Sequence, residues 1–295
     1  MNLTRRAYRG QADWDAVAKL IMRDPKFHHP IDFPWRLTSP SLDDPLNGSI
    51  WVEQNGEIRA FASLQFAWLT LDYAIDPEAY RLELESEILG WGEERLRQIA
   101  IDRDDHFPFN VNVYSDESDR ITYLEQRGYS CWDNYVIVFN RSMQSIAEPR
   151  LPEGFSIRPL GGNDEVHHYV NLHRSAFDST FMTDAWRQRT LAAPLYNPAL
   201  DLVAVAPDGR LAGFIICWFQ PQLKMAQIEP MGVHPDFQHL GLSQALIHES
   251  FHRVAVKGCE TIRVETYNFN EAGIRAYESA GFQAVKQKRK YYLDY

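Results

Sequence analysis

The chain has 295 residues, 45% of them hydrophobic, and carries 30 Lys and Arg against 40 Asp and Glu, for a net charge of −10. At roughly 100–200 residues per domain this is length for two domains, with ample apolar sequence for their cores. The acidic balance, without a basic run or basic domain, argues against nucleic acid as a partner. No N-terminal apolar segment and no run of about 20 apolar residues is present, so neither a signal peptide nor a membrane span is expected. Three widely separated cysteines, Cys131, Cys217 and Cys259, fit free thiols in a reducing cytosol, and a cytoplasmic protein is expected.

Along the chain, the first half offers an Asn-Gly turn entering a strand (NGEIRAF, 55–61), an Ile-Asp-Pro step at 75–77 and LEQRGY at 124–129. The second half repeats these in order as DGRLAGF (208–214), Val-His-Pro at 233–235 and YESAGF (277–282). A spacing of about 150 residues indicates duplicated domains, because solenoid repeats are far shorter. The Pro/Gly-containing stretch Ala147–Gly154 is the expected linker. The division is 1–145, a linker at 146–154, and 155–295. In the second copy the predicted strands are Phe155–Arg158, Leu202–Ala206, Leu211–Phe219, Met225–Val233, Thr261–Thr266 and Lys288–Leu293, with a helix from Ser243 onward. The cluster Lys286, Lys288, Arg289 and Lys290 reads as a solvated edge strand.

The segment from Glu229 to Ser243 carries the chemistry. A strand through Met231, Gly232 and Val233 leads into a turn containing Gln238, His239, Leu240, Gly241 and Leu242, and the helix follows. Free N–H groups at a helix start, reinforced by the dipole, make an anion site, and a glycine lets the anion approach the backbone. The expected anion is a pyrophosphate. Some thirty residues on comes Asn270-Glu-Ala-Gly-Ile-Arg-Ala-Tyr277, ending in Gly281-Phe282. With both segments, the chain resembles the GNAT superfamily of N-acetyltransferases. In that family Gln/Arg-x-x-Gly-x-Gly/Ala cradles the pyrophosphate of acetyl-coenzyme A; here it is matched by Gln238, Gly241 and Ser243, with Ser243 a departure small enough to fit. The second family segment flanks the pantetheine and is matched by Asn270, Ala272, Tyr277, Gly281 and Phe282. As architecture, the arrangement is similar to the two-domain acetyltransferases that include mycothiol synthase, with the C-terminal copy catalytic. The implied fold is mixed α/β, two tandem GNAT-like domains with a degenerate N-terminal copy.

That degeneracy is read from alignment. Setting Ile75 on Val233 puts Tyr80, Glu83 and Glu85 at the places of Gln238, Gly241 and Ser243, with Glu87 nearby. Acids there would repel a pyrophosphate and block close approach. Leu124 falls on Tyr277 and Glu117 on Asn270, so the first copy is expected to bind no coenzyme A.

The resemblance implies direct attack of an amine on acetyl-coenzyme A in a ternary complex. The backbone of Met231 and Val233 would pair with the pantetheine. Strand alternation places Glu229 on their face, where it is either the base or a ligand for the acceptor ammonium. Tyr277 is either the acid that protonates the leaving thiolate or an aromatic that packs its helix. Asn270 serves as helix cap, pantetheine ligand or both. His248 and His252 are read as a surface pair, not a metal site; His167, His168 and His173 as a solvated helix face; His234 as structural; Cys217 as core. The acceptor is expected to be a small-molecule primary amine held by His173–Arg189 and Thr266–Phe269, where Phe177, Asp178, Phe181, Asp184, Trp186, Tyr267 and Phe269 lie. The first copy's aromatic stretch from Phe27 to Trp35 either closes the site or packs between domains. A non-catalytic acyl-coenzyme A sensor or scaffold and a protein-amine acetyltransferase stay open as alternatives. The oligomeric state is left open.

Overall fold

In the computed structural model, residues 3–293 are described apart from 25–30, 32, 80 and 104–107. The chain divides into two compact units: Met1–Tyr135 with Lys288–Tyr295, and Val136–Gln287.

The first unit holds strands β1 (Thr4–Ala7), β2 (Gly48–Val52), β3 (Ile58–Gln65), β4 (Thr70–Ile75) and β5 (Asn110–Tyr114), with helices α1 (Trp14–Arg23), α2 (Phe33–Leu37), α3 (Arg81–Arg103) and α4 (Ser118–Gln126). β1 to β4 pair antiparallel in chain order, with the short Asn55-Gly56 turn joining β2 to β3. The unit's core gathers Trp51, Leu64, Ile88, Leu89 and Leu124, together with Tyr291 from the far end of the chain.

The second unit begins inside β6 (Ser130–Ser142). It continues through β7 (Ser156–Pro159), α5 (Val166–Phe177), α6 (Asp184–Leu191), β8 (Asp201–Val205), β9 (Leu211–Gln220), β10 (Met225–Val233), α7 (Leu242–Val256), β11 (Thr261–Tyr267) and α8 (Glu271–Ser279), and ends inside β12 (Gln283–Tyr292). Its strand order is β6-β11-β10-β9-β8-β7. The predicted bounds of β10 coincide with the observed ones, whereas β12 starts five residues before the predicted Lys288. One face is covered by α7, whose Leu246, Phe251 and Val254 pack with Ile215, Cys217 and Ile228.

Division by compactness differs from division by repeat, for a reason visible in the pairing. The repeat follows covalent order; compactness follows hydrogen bonds. Val136–Ser142 pairs with Tyr267–Thr261 of β11, and Lys288–Tyr292 pairs with Tyr114–Asn110 of β5. Lys288, Arg289 and Lys290 therefore lie in a paired strand and not on a free edge. The charged groups of two of them lie over aromatic rings, Lys288 Nζ 5.4 Å from the Tyr114 ring centre and the Arg289 guanidinium 5.1 Å from that of Tyr135.

The first unit also corrects the placement of its acids. α3 already begins at Arg81, so the residues aligned with the second copy's turn are helical. Glu83 is exposed, but Glu85 turns inward and is fully buried. Its carboxylate accepts from Arg120 Nε at 2.7 Å and from the Tyr73 hydroxyl, and Arg120 is also held by Glu117 at 3.0 Å. Tyr80 lies outside the described residues. Of the aromatic stretch from Phe27 to Trp35, Ile31, Phe33 and Trp35 are buried and Phe27–Pro30 with Asp32 are outside the described residues. Removing Arg120 strands a buried carboxylate, so Arg120→Ala is expected to cost about 3–5 kcal/mol of stability in denaturant unfolding.

Candidate functional site

The site grows from one irregularity in β10. Ile228 faces Cys217 on β9, but Met231 faces Ile215, so β10 spends two residues, Glu229 and Pro230, where β9 spends one. This is a β-bulge, which bends its strand and breaks the ladder locally. Pro230, with no N–H to give, suits it. On the other side, β10 pairs in parallel with β11 from Met225–Thr261 only to Ile228–Val264, although β10 runs on to Val233 and β11 to Tyr267. Past the bulge the two strands part.

Which backbone groups face the gap follows from the antiparallel ladder. His234 N–H donates to Ala212 C=O at 2.9 Å, in register with Val233 opposite Gly213. Hydrogen-bonded residues alternate, so His234 and Gly232 turn to β9, whereas Met231 and Val233 turn their N–H and C=O to the edge that β11 has left. Gly232 itself answers to packing. A Cβ there would come within 2.9 Å of Ala176 on α5 and of Phe214.

The bulge also corrects the expectation for Glu229. Simple alternation with Met231 and Val233 fails, because the extra residue resets the facing of the strand. Glu229 is half-buried, and its charge is felt by two phenols, Tyr169 on α5 and Tyr277 on α8.

After β10, the turn is fixed before the helix starts. His234 Nδ1 accepts from Asp236 N–H, Arg210 ion-pairs with Asp236 at 2.9 Å, and the Arg210 guanidinium lies 4.6 Å over Phe237. The loop Gln238–Gly241 is exposed. Two of its residues are left-handed, His239 at φ 63° and Gly241 at φ 80°, and a Cβ on Gly241 would meet nothing within 4 Å. Gly241 caps α7 without a side-chain acceptor, and the first turn holds no acid. The amides of Leu242, Ser243 and Gln244 thus start a helix with their N–H groups uncapped by the chain, beside open space. Leu242 is buried and anchors the turn; Ser243 is half-buried.

α8 stands beside α7, tied by Gln244 Nε2 donating to the Ala276 carbonyl at 2.6 Å. Asn270 caps α8 by accepting from Gly273 N–H at 3.0 Å, and its amide donates to Thr266 at 2.9 Å. Tyr277 is 7% exposed and packs on Phe139 and Phe282. Burial, and then the Glu229 charge, push its phenol above its ordinary range, which keeps it protonated.

α5 departs from the expected solvated face. His167 is exposed, 3.1 Å from Asp184, and His168 is exposed. His173 instead stacks on Phe214, 5.5 Å between centroids, flanked by Tyr169 and Phe177, with Nδ1 buried and unpartnered. Burial, then the Arg187 and Arg174 charges, lower its pKa from 6.5 to about 4. Phe177, Phe181 and Phe269 are exposed, Tyr267 stacks on Phe269, and Trp186 is buried. A cavity of about 460 Å³ adjoins the turn, between α5 and the Asp208–Leu211 hairpin. Cys217 is buried and its thiol pushed up to about 12, which removes it as a nucleophile. His252 Nε2 lies 3.2 Å from the Ala147 carbonyl. Among the described residues no group of three or more His, Cys, Asp or Glu is placed to hold a metal.

Reading the sequence missed Trp218, whose indole Nε1 donates to the Glu229 carbonyl, and the buried pair Arg187–Asp201. The signal available was a charge in the middle of α6 beside Trp186.

The model of the acetyltransferase (GNAT) family matches residues 166–282, within the second unit. Mycothiol acetyltransferase of Kineococcus radiotolerans is 30% identical over 155 residues, 50% of this chain and 49% of that protein. The ribosomal protein bS18-alanine N-acetyltransferase of Escherichia coli is 31% identical over 107 residues, 36% of this chain and 70% of that protein. The chain spans about half the length of the mycothiol acetyltransferases it matches. Two solved structures share the fold over 99% of this chain: a GCN5-related N-acetyltransferase from Sphaerobacter thermophilus (TM-score 0.67, 20% identity, 95% of that chain), and a tandem GNAT protein from the clavulanic acid biosynthesis pathway (TM-score 0.67, 12% identity, 98% of that chain).

The depressed His173 gives a pH prediction. The unfolded chain binds its proton near pH 6.5 and the folded chain only near pH 4, so stability rises with pH across that window. His173's contribution is complete above pH 6.5 and is lost as pH falls to about 4. Unfolding measured from pH 4 to 7 should show this slope, and His173→Phe should flatten it.

Proposed function

The chain belongs to the acetyltransferase (GNAT) family, and from that premise we propose that its second unit transfers the acetyl group of acetyl-coenzyme A to a primary amine of a small-molecule acceptor. The observation that carries this reading is the open edge at Met231 and Val233 leading into an uncapped helix start at Leu242. An extended chain bearing amides and a pyrophosphate fits that sequence of groups: strand-like pairing first, then N–H groups and a helix dipole for the anion. Gln238, His239, Leu240, Gly241, Leu242 and Ser243 form the cradle. Met231 and Val233 hold the pantetheine, with Gly232 admitting α5 between them. Asn270 fixes the start of α8 and thereby places Tyr277.

In the reaction, Glu229 takes a proton from the acceptor ammonium, directly or through water. The free amine attacks the thioester carbonyl, forming the C–N bond. As the C–S bond breaks, Tyr277 gives its proton to the leaving sulfur and is restored by the second proton of the acceptor amine, while Glu229 releases the first to solvent. A backbone N–H of the β10 edge polarises the carbonyl. The raised Tyr277 phenol suits the acid role, since it arrives protonated. Neither group is needed by a protein that only senses coenzyme A, which favours catalysis. The likeness to the ribosomal protein alanine acetyltransferase supports a second reading, a peptide α-amine as acceptor. A panel of small amines and peptide amines separates the two.

The first unit lacks the cradle, so calorimetric titration with acetyl-coenzyme A is expected to give one site per chain. Gly241→Glu should abolish it, because a side chain at positive φ and a carboxylate both oppose the anion. Two sites would contradict the assignment. Tyr277→Phe should lower kcat about a hundredfold or more while leaving acetyl-coenzyme A affinity in place.

A further inference from the structure

A bulge leaves backbone groups outside the ladder, and a buried one must find a partner elsewhere. In β10 the carbonyl of Glu229 accepts a 2.7 Å hydrogen bond from the indole Nε1 of Trp218. Trp218 lies on β9 opposite Gln227 and is 1% exposed. Its ring meets Tyr196 edge-on, 6.4 Å between centroids, and the Tyr196 hydroxyl donates to Asp201 at 2.6 Å. Asp201 is ion-paired with Arg187, both fully buried, and the Arg187 guanidinium lies 3.8 Å over the Tyr169 ring.

As a source of stability this cluster is poor. Buried ion pairs are often no better than apolar replacements. Here Arg187 Nε and Nη1, Asp201 Oδ1 and both amide atoms of Gln227 have no hydrogen-bond partner. The cluster makes better sense as a support, reaching from α6 through β8 and β9 to a carbonyl inside the bulge.

We propose that Trp218 is a positioning residue for the transfer reaction: its indole N–H holds the Glu229 carbonyl, and with it the bulge that turns Met231 and Val233 to the open edge. Tyr196, seated on Asp201, holds Trp218 in turn. The proposal rests on the reading of that edge as the acetyl-coenzyme A site. Trp218→Phe keeps an aromatic ring and removes the donor. Tyr196→Phe keeps the ring contact and removes the tie to Asp201.

The test uses the full chain and acetyl-coenzyme A as the probe. Trp218→Phe should raise its Kd about tenfold, as expected when a binding edge shifts by a fraction of an ångström, and should lower the thermal midpoint by a few degrees, because the Glu229 carbonyl loses its donor. Tyr196→Phe should do the same more weakly. Wild-type affinity in a folded Trp218→Phe protein would overturn the proposal. If that variant does not fold, the wild-type indole ¹⁵N–¹H resonance of Trp218 decides. It should exchange slowly with solvent and move on addition of acetyl-coenzyme A. Exchange as fast as that of the exposed Trp132, or a resonance that stays in place at saturation, would overturn the proposal. A wild-type chain that binds no acetyl-coenzyme A would overturn the functional reading and this proposal together, a result distinct from a wild-type chain that binds and a variant that binds equally well.

Discussion

Everything at the site depends on one backbone constraint: β10 cannot stay paired with β11 once it has taken an extra residue between Ile228 and Met231. A strand in mid-sheet normally spends its N–H and C=O groups on both neighbours. This one spends them on β9 alone for its last three residues, and the freed groups of Met231 and Val233 are the edge on which the proposed function rests. The bulge is tolerable because its own orphan, the Glu229 carbonyl, is met by Trp218. Close packing on the α5 face requires Gly232. Opening the sheet and keeping it folded are thus handled by the same few residues.

The two halves show how one framework supports different interiors. In the second unit, the chain after β10 makes an exposed turn with two left-handed residues before α7 begins. In the first, helix α3 is under way by Arg81, and Glu85 is buried against Tyr73 and Arg120. Where one copy leaves amides open to an anion, the other has filled the corresponding region with an internal ion pair. The two regions differ in packing and not only in surface charge.

Much of this was legible in the sequence. The strand Met225–Val233, the turn and the α7 helix follow from apolar spacing, a proline and a glycine, all local signals. So does the Asn270 cap, which needs only the right residue before the helix. What was not legible depends on pairing between distant segments. Strand alternation gave the wrong facing for Glu229, because a bulge is invisible until the partner strand supplies the register. Lys288–Lys290 read as an edge because β5, their partner, lies some 175 residues earlier in the chain. His173 read as solvated because helical spacing cannot show that Phe214 waits beneath it. The Trp218–Glu229 bond joins a side chain to a carbonyl, and no residue pattern announces it.

The central claim is that the second unit alone offers an open strand edge and a free helix start to acetyl-coenzyme A. Amide hydrogen exchange, followed residue by residue with and without acetyl-coenzyme A, tests it most directly. Protection is expected at Met231, Val233 and Leu242–Gln244, with no change across Asp76–Ile88. Protection at the start of α3, or none at the β10 edge in a protein saturated with the ligand, would contradict the account.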